Sequence, residues 1–599
     1  MKLKLIYHLL AGLIICLVST IGFSQNKVRL AYVLTTNDAN KLTTDTAATF
    51  LNIKLAKAHV IKQHQKLLTE GYFEASVDSV INNEKQLTTF LNIGPKYNGI
   101  NLNISTLPMV LKEQLNLPKT LDSITLSLNK WQAITTQILK HAENNGHPFA
   151  AITLTDIHIK NNNISAVIKY MPRQTIKFDS LFVKGNAKLN AVFLQNLFDV
   201  KQGDIFKATK LNEINKIIEA QPYLDQYRQP AVEFMSSGAN VLLFVNDKKA
   251  NQFDFVIGLL PQSDGIKLTG EGQFTLHNTF GFGERLHLNY TNLPNSGRQL
   301  AIETKATYLP YLPFGLDANF NLYIQDTSFI SRNFKIGILY PFKANNFVEV
   351  YYANEQSNLL EINAEHIVET KQLPQNLDWA TNSYGLRLHL ENYNYRFNPT
   401  KGYGIDFAAS LGNRNIIKNN RIIDLKDVTD LAYNFELLYD SLTLKTAKLQ
   451  LNGKVEKFFP IKKNATLKTM LSFAYFYTSG SFKSVYENEL YRIGGLHTLR
   501  GFDEASILGN FYSILNVEYR YLIARQSFFS FFANSAFIEN QQMKLLNKTY
   551  SQLFYSVGLG LNFETSSGIF SLNYALGKQQ YNNISFKAGK IHFGYLNVF

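Results

Sequence analysis

Two hydrophobic periodicities divide the chain near residue 249. Before that point, apolar positions follow helical spacing in some stretches and short strands in others. Phe50, Leu51, Ile53, Leu55, Ala56, Val60, Leu67 and Leu68 predict a helix over 47–70, stopped at Gly71. Further helices are predicted over 131–145, before Gly146, and over 211–220, before Pro222. Strand-like runs follow at 76–81, 150–159 and 231–235, with others at 99–104 and 176–183. The helix stops at 71, 146 and 221 lie 75 residues apart. That period predicts three tandem modules.

From residue 250 onward the helical period disappears and strict alternation replaces it. Leu316, Ala318, Phe320, Leu322 and Ile324 fall on one face, Asp317, Asn319, Asn321, Tyr323 and Gln325 on the other. Leu386, Leu388 and Leu390 alternate with Arg387, His389 and Glu391, and Tyr555, Val557, Leu559, Leu561 and Phe563 alternate with Ser556, Gly558, Gly560 and Asn562. A period of two makes a strand with one apolar and one polar face. A soluble sandwich and a membrane barrel both use that pattern. The barrel is favoured by segments of about ten residues, the length of a tilted membrane strand. It is also favoured by Tyr290, Tyr308, Tyr311, Tyr340, Phe342, Tyr351 and Tyr352 at segment ends, where aromatic girdles lie. Eleven strands are expected between 254 and 477 and five between 511 and 599, with 430–440 read as part of a long outer loop. Sixteen is an even number, as bacterial barrels require.

Composition sharpens this picture. The chain has 599 residues, a net charge of +14, 13% aromatic and 18% charged residues, and one cysteine. The charged share is below the roughly 25% of soluble chains, and the apolar content excludes disorder as the main state. One cysteine excludes a disulfide framework or a Cys-based zinc site. Lys2 and Lys4, the apolar run from Leu5 to Val18, and Gly22-Phe23-Ser24 read as an export signal cleaved after residue 24. Export removes nucleic acid as a partner for the positive charge. No Gly-x-Ser-x-Gly, His-Glu-x-x-His or phosphate-binding Gly-Lys-Ser/Thr motif is present, so no enzyme, cofactor or metal site is expected.

One loop and two turns carry a family resemblance. Glu489 to Phe502 reads Glu-Leu-Tyr-Arg-Ile-Gly-Gly-Leu-His-Thr-Leu-Arg-Gly-Phe, with Gly494, Gly495, Arg500, Gly501 and Phe502 as its core. Asn278-Thr279-Phe280-Gly281-Phe282-Gly283 forms one turn, and Phe397-Asn398-Pro399-Thr400-Lys401-Gly402 the other. Together these resemble the BamA/TamA superfamily of outer-membrane insertases, TamA-like in size. The end of the chain, with Ile591, Phe593, Tyr595 and Phe599 on one face, is similar to a barrel's terminal assembly signal, although Asn597 departs from its apolar preference.

The resemblance implies α+β periplasmic POTRA-like modules at 25–95, 96–173 and 174–248, followed by a 16-stranded antiparallel transmembrane β-barrel over 249–599. It implies that Arg500 folds into the lumen and pairs with acidic residues on the wall. Glu518 matches one such position. At the other, this chain carries Asn534 within Phe532-Ala533-Asn534-Ser535-Ala536, where the family has Asp.

The implied function is capture of unfolded polypeptides in the periplasm and their insertion into, or transport across, the outer membrane. Implied partners are unfolded outer-membrane or secreted polypeptides, outer-membrane lipids, and accessory proteins of the periplasm or inner membrane. The alternatives are a secretion pore for one dedicated partner, which carries two modules and a preceding plug helix, and a passive channel or receptor.

Overall fold

The computed structural model describes residues 28–34, 48–83, 86–118, 122–262, 265–293, 297–309, 312–343, 345–395, 398–427, 430–479, 485–545, 550–565, 568–580 and 589–598. The export signal, Tyr311, Phe397 and Phe599 lie outside the described residues.

One α/β topology occurs three times before the barrel. Each time, an antiparallel hairpin accepts an earlier strand in parallel alongside its second arm. In the first module the hairpin is Ser76–Asn83 with Gln86–Asn92, and Val28–Leu34 joins it. In the second it is Ala151–Lys160 with Asn163–Met171, joined by Gly99–Asn103. In the third it is Leu224–Met235 with Gly238–Asp247, joined by Phe178–Lys184. The helices preceding the hairpins are Ile53–Glu70, Leu128–Asn144 and Ala208–Ala220. The first begins later than the apolar spacing suggests, because Ala48–Phe50 joins the sheet and Asn52 caps Leu55 N–H. It ends where expected. Gly71 takes φ 104°, and Tyr72 N–H returns to Leu67 O at 3.0 Å. His147 N–H returns to Ala142 O past Gly146 in the same way.

Within the modules, the helices Met109–Gln114 and Ala191–Phe198 escaped the sequence reading because they are too short to show a period. The second buries Phe193, Leu194, Leu197 and Phe198, with the Phe193 ring edge-on to Tyr308. Two compact units result. Of the described residues, those from 28 to 177 with 205–209 form one, and those at 178–204 and from 210 to 598, the third module and the barrel, form the other.

The barrel closes with sixteen antiparallel strands. These are β1 (Gln252–Gln262), β2 (Gly265–His277), β3 (Arg285–Asn292), β4 (Gly297–Ala306), β5 (Gly315–Gln325) and β6 (Phe329–Lys343). They continue with β7 (Asn346–Leu359), β8 (Asp378–Tyr393), β9 (Gly402–Ile417), β10 (Lys445–Lys462) and β11 (Ala465–Thr478). Five more follow the longest loop: β12 (Phe511–Leu522), β13 (Phe528–Glu539), β14 (Ser551–Glu564), β15 (Ile569–Gln579) and β16 (Lys590–Val598). The segment 430–440 holds a 3-10 turn, Phe435–Tyr439, inside a loop. The seam pairs β1 with β16 from Gln252↔Val598 to Leu259↔Ile591.

Side-chain direction decides between sandwich and barrel. Tyr384, Leu386, Val350 and Ile338 are 71%, 59%, 58% and 56% exposed on the outer face. Their polar neighbours point inward. Arg387 pairs with Asp406 at 2.8 Å and with Glu349 at 3.5 Å, and Lys335 meets Glu349 at 2.7 Å. A sandwich would bury the apolar face; here it forms the outside wall. Leu386→Arg places a charge at the middle of that wall. It is expected to destabilise the barrel by about 2–4 kcal/mol in urea unfolding from lipid vesicles. An unchanged midpoint would show that this face does not meet hydrocarbon.

Candidate functional site

The loop between β11 and β12 folds back into the barrel lumen. Its own hairpin, Tyr491–Ile493 with Ile507–Gly509, makes a stem. The tip between them carries the Gly-Gly and Arg-Gly-Phe residues. Leu499, buried, and Phe502 pack with Ile493 and Ile507 against Ile514, Ala536, Ile538 and Phe554 of the inner wall. Part of the lumen wall is therefore apolar, and burying the loop there supplies the free energy that holds it inside.

The tip glycines fit a confined backbone. Gly495 has φ 96°, and a Cβ there would collide with the Glu504 carboxylate. Gly501 has φ 93°, and its Cβ would lie 2.9 Å from the backbone of Gly577 on β15. Both the conformation and the close approach require glycine. Gly494 shares the left-handed conformation, and its N–H and carbonyl close on the Thr498 hydroxyl.

Arg500 is brought to Glu518 on β12, donating from Nη2 to Oε2 at 2.9 Å. Its guanidinium lies over the Phe532 ring of β13, 3.4 Å from the centroid. Glu518 also accepts from Arg520 Nε at 2.7 Å, and Arg520 reaches Asn398 at 2.8 Å. The resemblance-derived turn at 398–402 is thus tied to the Arg500 site through one carboxylate.

Asn534, expected as the second partner of Arg500, is held elsewhere. It accepts from Asn516 and donates to the Ser556 hydroxyl at 2.7 Å. A neutral amide completes its bonds with neighbouring strand residues, and the aromatic face two positions earlier takes the cation instead. Phe532 was missed in the sequence. Its signal was an aromatic on the inward face of the alternation, between Ser530 and Asn534.

The tip also spans the seam. His497 lies 3.1 Å from Glu271 on β2, and Asp503 lies 2.6 Å from Lys590 on β16. Asp254 on β1 adds its charge near His497. Ile591, Phe593 and Tyr595 occupy the outer face of β16, where the tilted rings of Phe570 and Phe255 pack on Tyr595. None of these links is local in sequence.

The Glu271 carboxylate raises the His497 imidazole above its ordinary 6.5, and burial pushes the neighbouring Glu504 carboxyl up to about 7. A raised histidine value means the link is complete below about 6.5 and is lost as pH rises through the raised value. Backbone hydrogen exchange at residues 496–499, corrected for intrinsic rate, should therefore accelerate as pH is raised from 6 to 9. His497→Gln should remove the histidine part of that step. A pH-independent wild-type profile would refute the link.

Among the described residues, no group of three or more His, Cys, Asp or Glu side chains is placed to hold a metal ion.

Residues 268–594 match the model of the Omp85 superfamily domain. Among solved structures, CdiB from Acinetobacter baumannii aligns at TM-score 0.50 with 14% identity, covering 91% of this chain and 98% of that one. CdiB from Escherichia coli aligns at TM-score 0.50 with 13% identity over the same shares of each chain. BamA from Haemophilus ducreyi lacking POTRA domains 1-3 aligns at TM-score 0.47 with 15% identity, covering 84% of this chain and 100% of that one. No curated protein matches in sequence.

Proposed function

The chain belongs to the Omp85 superfamily of outer-membrane proteins, and on that premise we propose that it captures unfolded polypeptides on its periplasmic modules and assembles them into, or moves them across, the outer membrane. The observation that carries this reading is a sheet edge, unpaired among the described residues, repeated in all three modules. Ser76–Asn83, Ala151–Lys160 and Leu224–Met235 each end their sheet. Each edge exposes apolar side chains: Val80 and Ile81, Ile157 and Ile159, Phe234 and Met235. Such edges are usually covered or charged, because they recruit extended chain. Strand addition reads backbone and tolerates varied sequence, which suits unfolded clients.

Three modules, not the two associated with a dedicated secretion pore, favour assembly. The barrel seam then offers a second pair of edges. Asn597 and Gly594 on β16 add no apolar side chain to it, Asp254 contributes a charge on β1, and Tyr595 on Phe255 is an aromatic contact across it.

Two measurements test the proposal. A photoreactive residue at Ile157 should crosslink an unfolded barrel polypeptide, whereas one at buried Ile168 should not. Oxidising an Ile257→Cys/Phe593→Cys pair across the seam should slow client insertion into vesicles at least tenfold, with recovery on reduction. Insertion at the wild-type rate through an oxidised seam would refute insertion by that route. Absence of crosslinks at all three edges would refute capture.

A further inference from the structure

A cavity of about 650 Å³ opens where the third module meets the turn between β2 and β3. That volume falls within the roughly 300–1,000 Å³ of small-molecule sites. Lys188, Lys248 and Lys249 line it, and Asp247 is the carboxylate among its lining residues. The Asp247 carboxylate is already engaged, accepting from the Lys188 backbone N–H at 3.2 Å. Three lysines against one carboxylate leave an excess of positive charge around the space.

The barrel side of the space presents the apolar Leu276 and Phe280 beside the polar His277, Asn278 and Thr279. Leu276 lies on β2 in the same alternation as Phe274, which faces outward and is 39% exposed. Phe280, in the turn that follows, is 66% exposed. This turn is rigid: Glu284 accepts from Phe280 N–H at 2.7 Å and Phe282 N–H at 3.2 Å, and Asn278 accepts from Gly283 N–H at 2.9 Å. It is also docked on the module, where Asn190 N–H donates to Gly281 O at 3.1 Å.

We infer that this cavity holds the phosphate of an anionic phospholipid headgroup. The lysines would take the phosphate, and an acyl chain would leave along Phe280, Leu276 and Phe274 onto the outer wall. A cavity that joins a cationic pocket to a lipid-facing surface fits a molecule with both parts. Free phosphate needs only the first. The site lies beside the start of β1, so its occupant would join the third module to the seam strand. This assigns a place to part of the +14 charge.

The test is native mass spectrometry of the full chain in detergent, titrated with dioleoylphosphatidylglycerol and, separately, with inorganic phosphate. The comparison proteins are Lys188→Gln/Lys248→Gln/Lys249→Gln and Phe280→Ser, each confirmed folded by its mobility on unheated gels. A lysine near an anionic headgroup is worth about a fivefold factor, so the triple variant should bind the lipid roughly 100-fold more weakly at low salt. Phe280→Ser should weaken lipid but not phosphate. Equal lipid binding by wild type and triple variant overturns the proposal. Lysine-dependent binding of inorganic phosphate without lipid retention overturns the lipid assignment and identifies a soluble phosphate site.

Discussion

Arg500→Ala is expected to free the lumen loop without unfolding the barrel. The substitution removes a charged hydrogen bond to Glu518 and a guanidinium resting on Phe532. Breaking a buried pair costs about 3–5 kcal/mol when it strands the partner charge. Here the partner keeps Arg520 at 2.7 Å, so about 3 kcal/mol, the lower end, applies. The cost falls on the loop, because the strand ladder of the wall is untouched. Protease should then cut between residues 494 and 506 in the folded protein, and conductance in planar bilayers should rise.

Arg500→Lys should recover less than half of the protection, since an ammonium lacks the planar fork and stacks poorly. Phe532→Leu separates the two contacts, leaving the ion pair and removing the ring. A loop that stays protected in Arg500→Ala would show that the apolar stem alone holds it, and the proposed role of Arg500 would fail. Client insertion measured on the same variants connects the latch to activity. A passive channel would lose nothing but its conductance block.

The largest loss of stability is expected from Arg414→Met. Arg414 on β9 and Glu489 at the root of the lumen loop form an ion pair with neither side chain exposed. Around them, Trp379 of β8 joins Ile367, Leu377, Ile422, Phe435, Tyr439 and Tyr486 from three loops in an apolar cap. Asn488 fastens the same loop to Ser357 and to the Leu377 carbonyl, each at 2.9 Å. Removing the arginine leaves a carboxylate in that cap, at an expected cost of about 3–5 kcal/mol in urea unfolding. Burial already pushes the Glu489 carboxyl upward. The deficit should therefore shrink as pH falls, because a protonated Glu489 leaves no charge stranded. Arg414→Met/Glu489→Leu should regain most of the loss, since two apolar groups leave nothing unpaired. A double variant as unstable as the single one would assign the cost to packing.

The two periodicities were legible because each reports local geometry. Alternation around Leu386 and Arg387 fixes which side chains share a face, whatever the partner strand. Gly71 and Gly146 end helices through backbone conformations that favour glycine. The short helix Ala191–Phe198 was illegible for the same reason in reverse, since two turns give no period. The sixteen strands could be counted because each is long enough to alternate.

The site was only half legible. Gly494, Gly495, Arg500 and Gly501 stand in one motif, and Glu518 could be matched by the resemblance. Phe532 and the links from His497 to Glu271 and from Asp503 to Lys590 could not. Each depends on register and on closure of the barrel, which brings strand β16 beside β1 across more than 300 residues of chain. A sequence carries the alternation of one strand but not the inward neighbours that closure supplies. The sequence by itself therefore determined the repeated α/β pattern and the sixteen strands, and the resemblance pointed to the loop that enters the lumen. The tertiary structure decided what that loop holds, because an arginine in a confined space takes whichever carboxylate and ring the closed wall places around it.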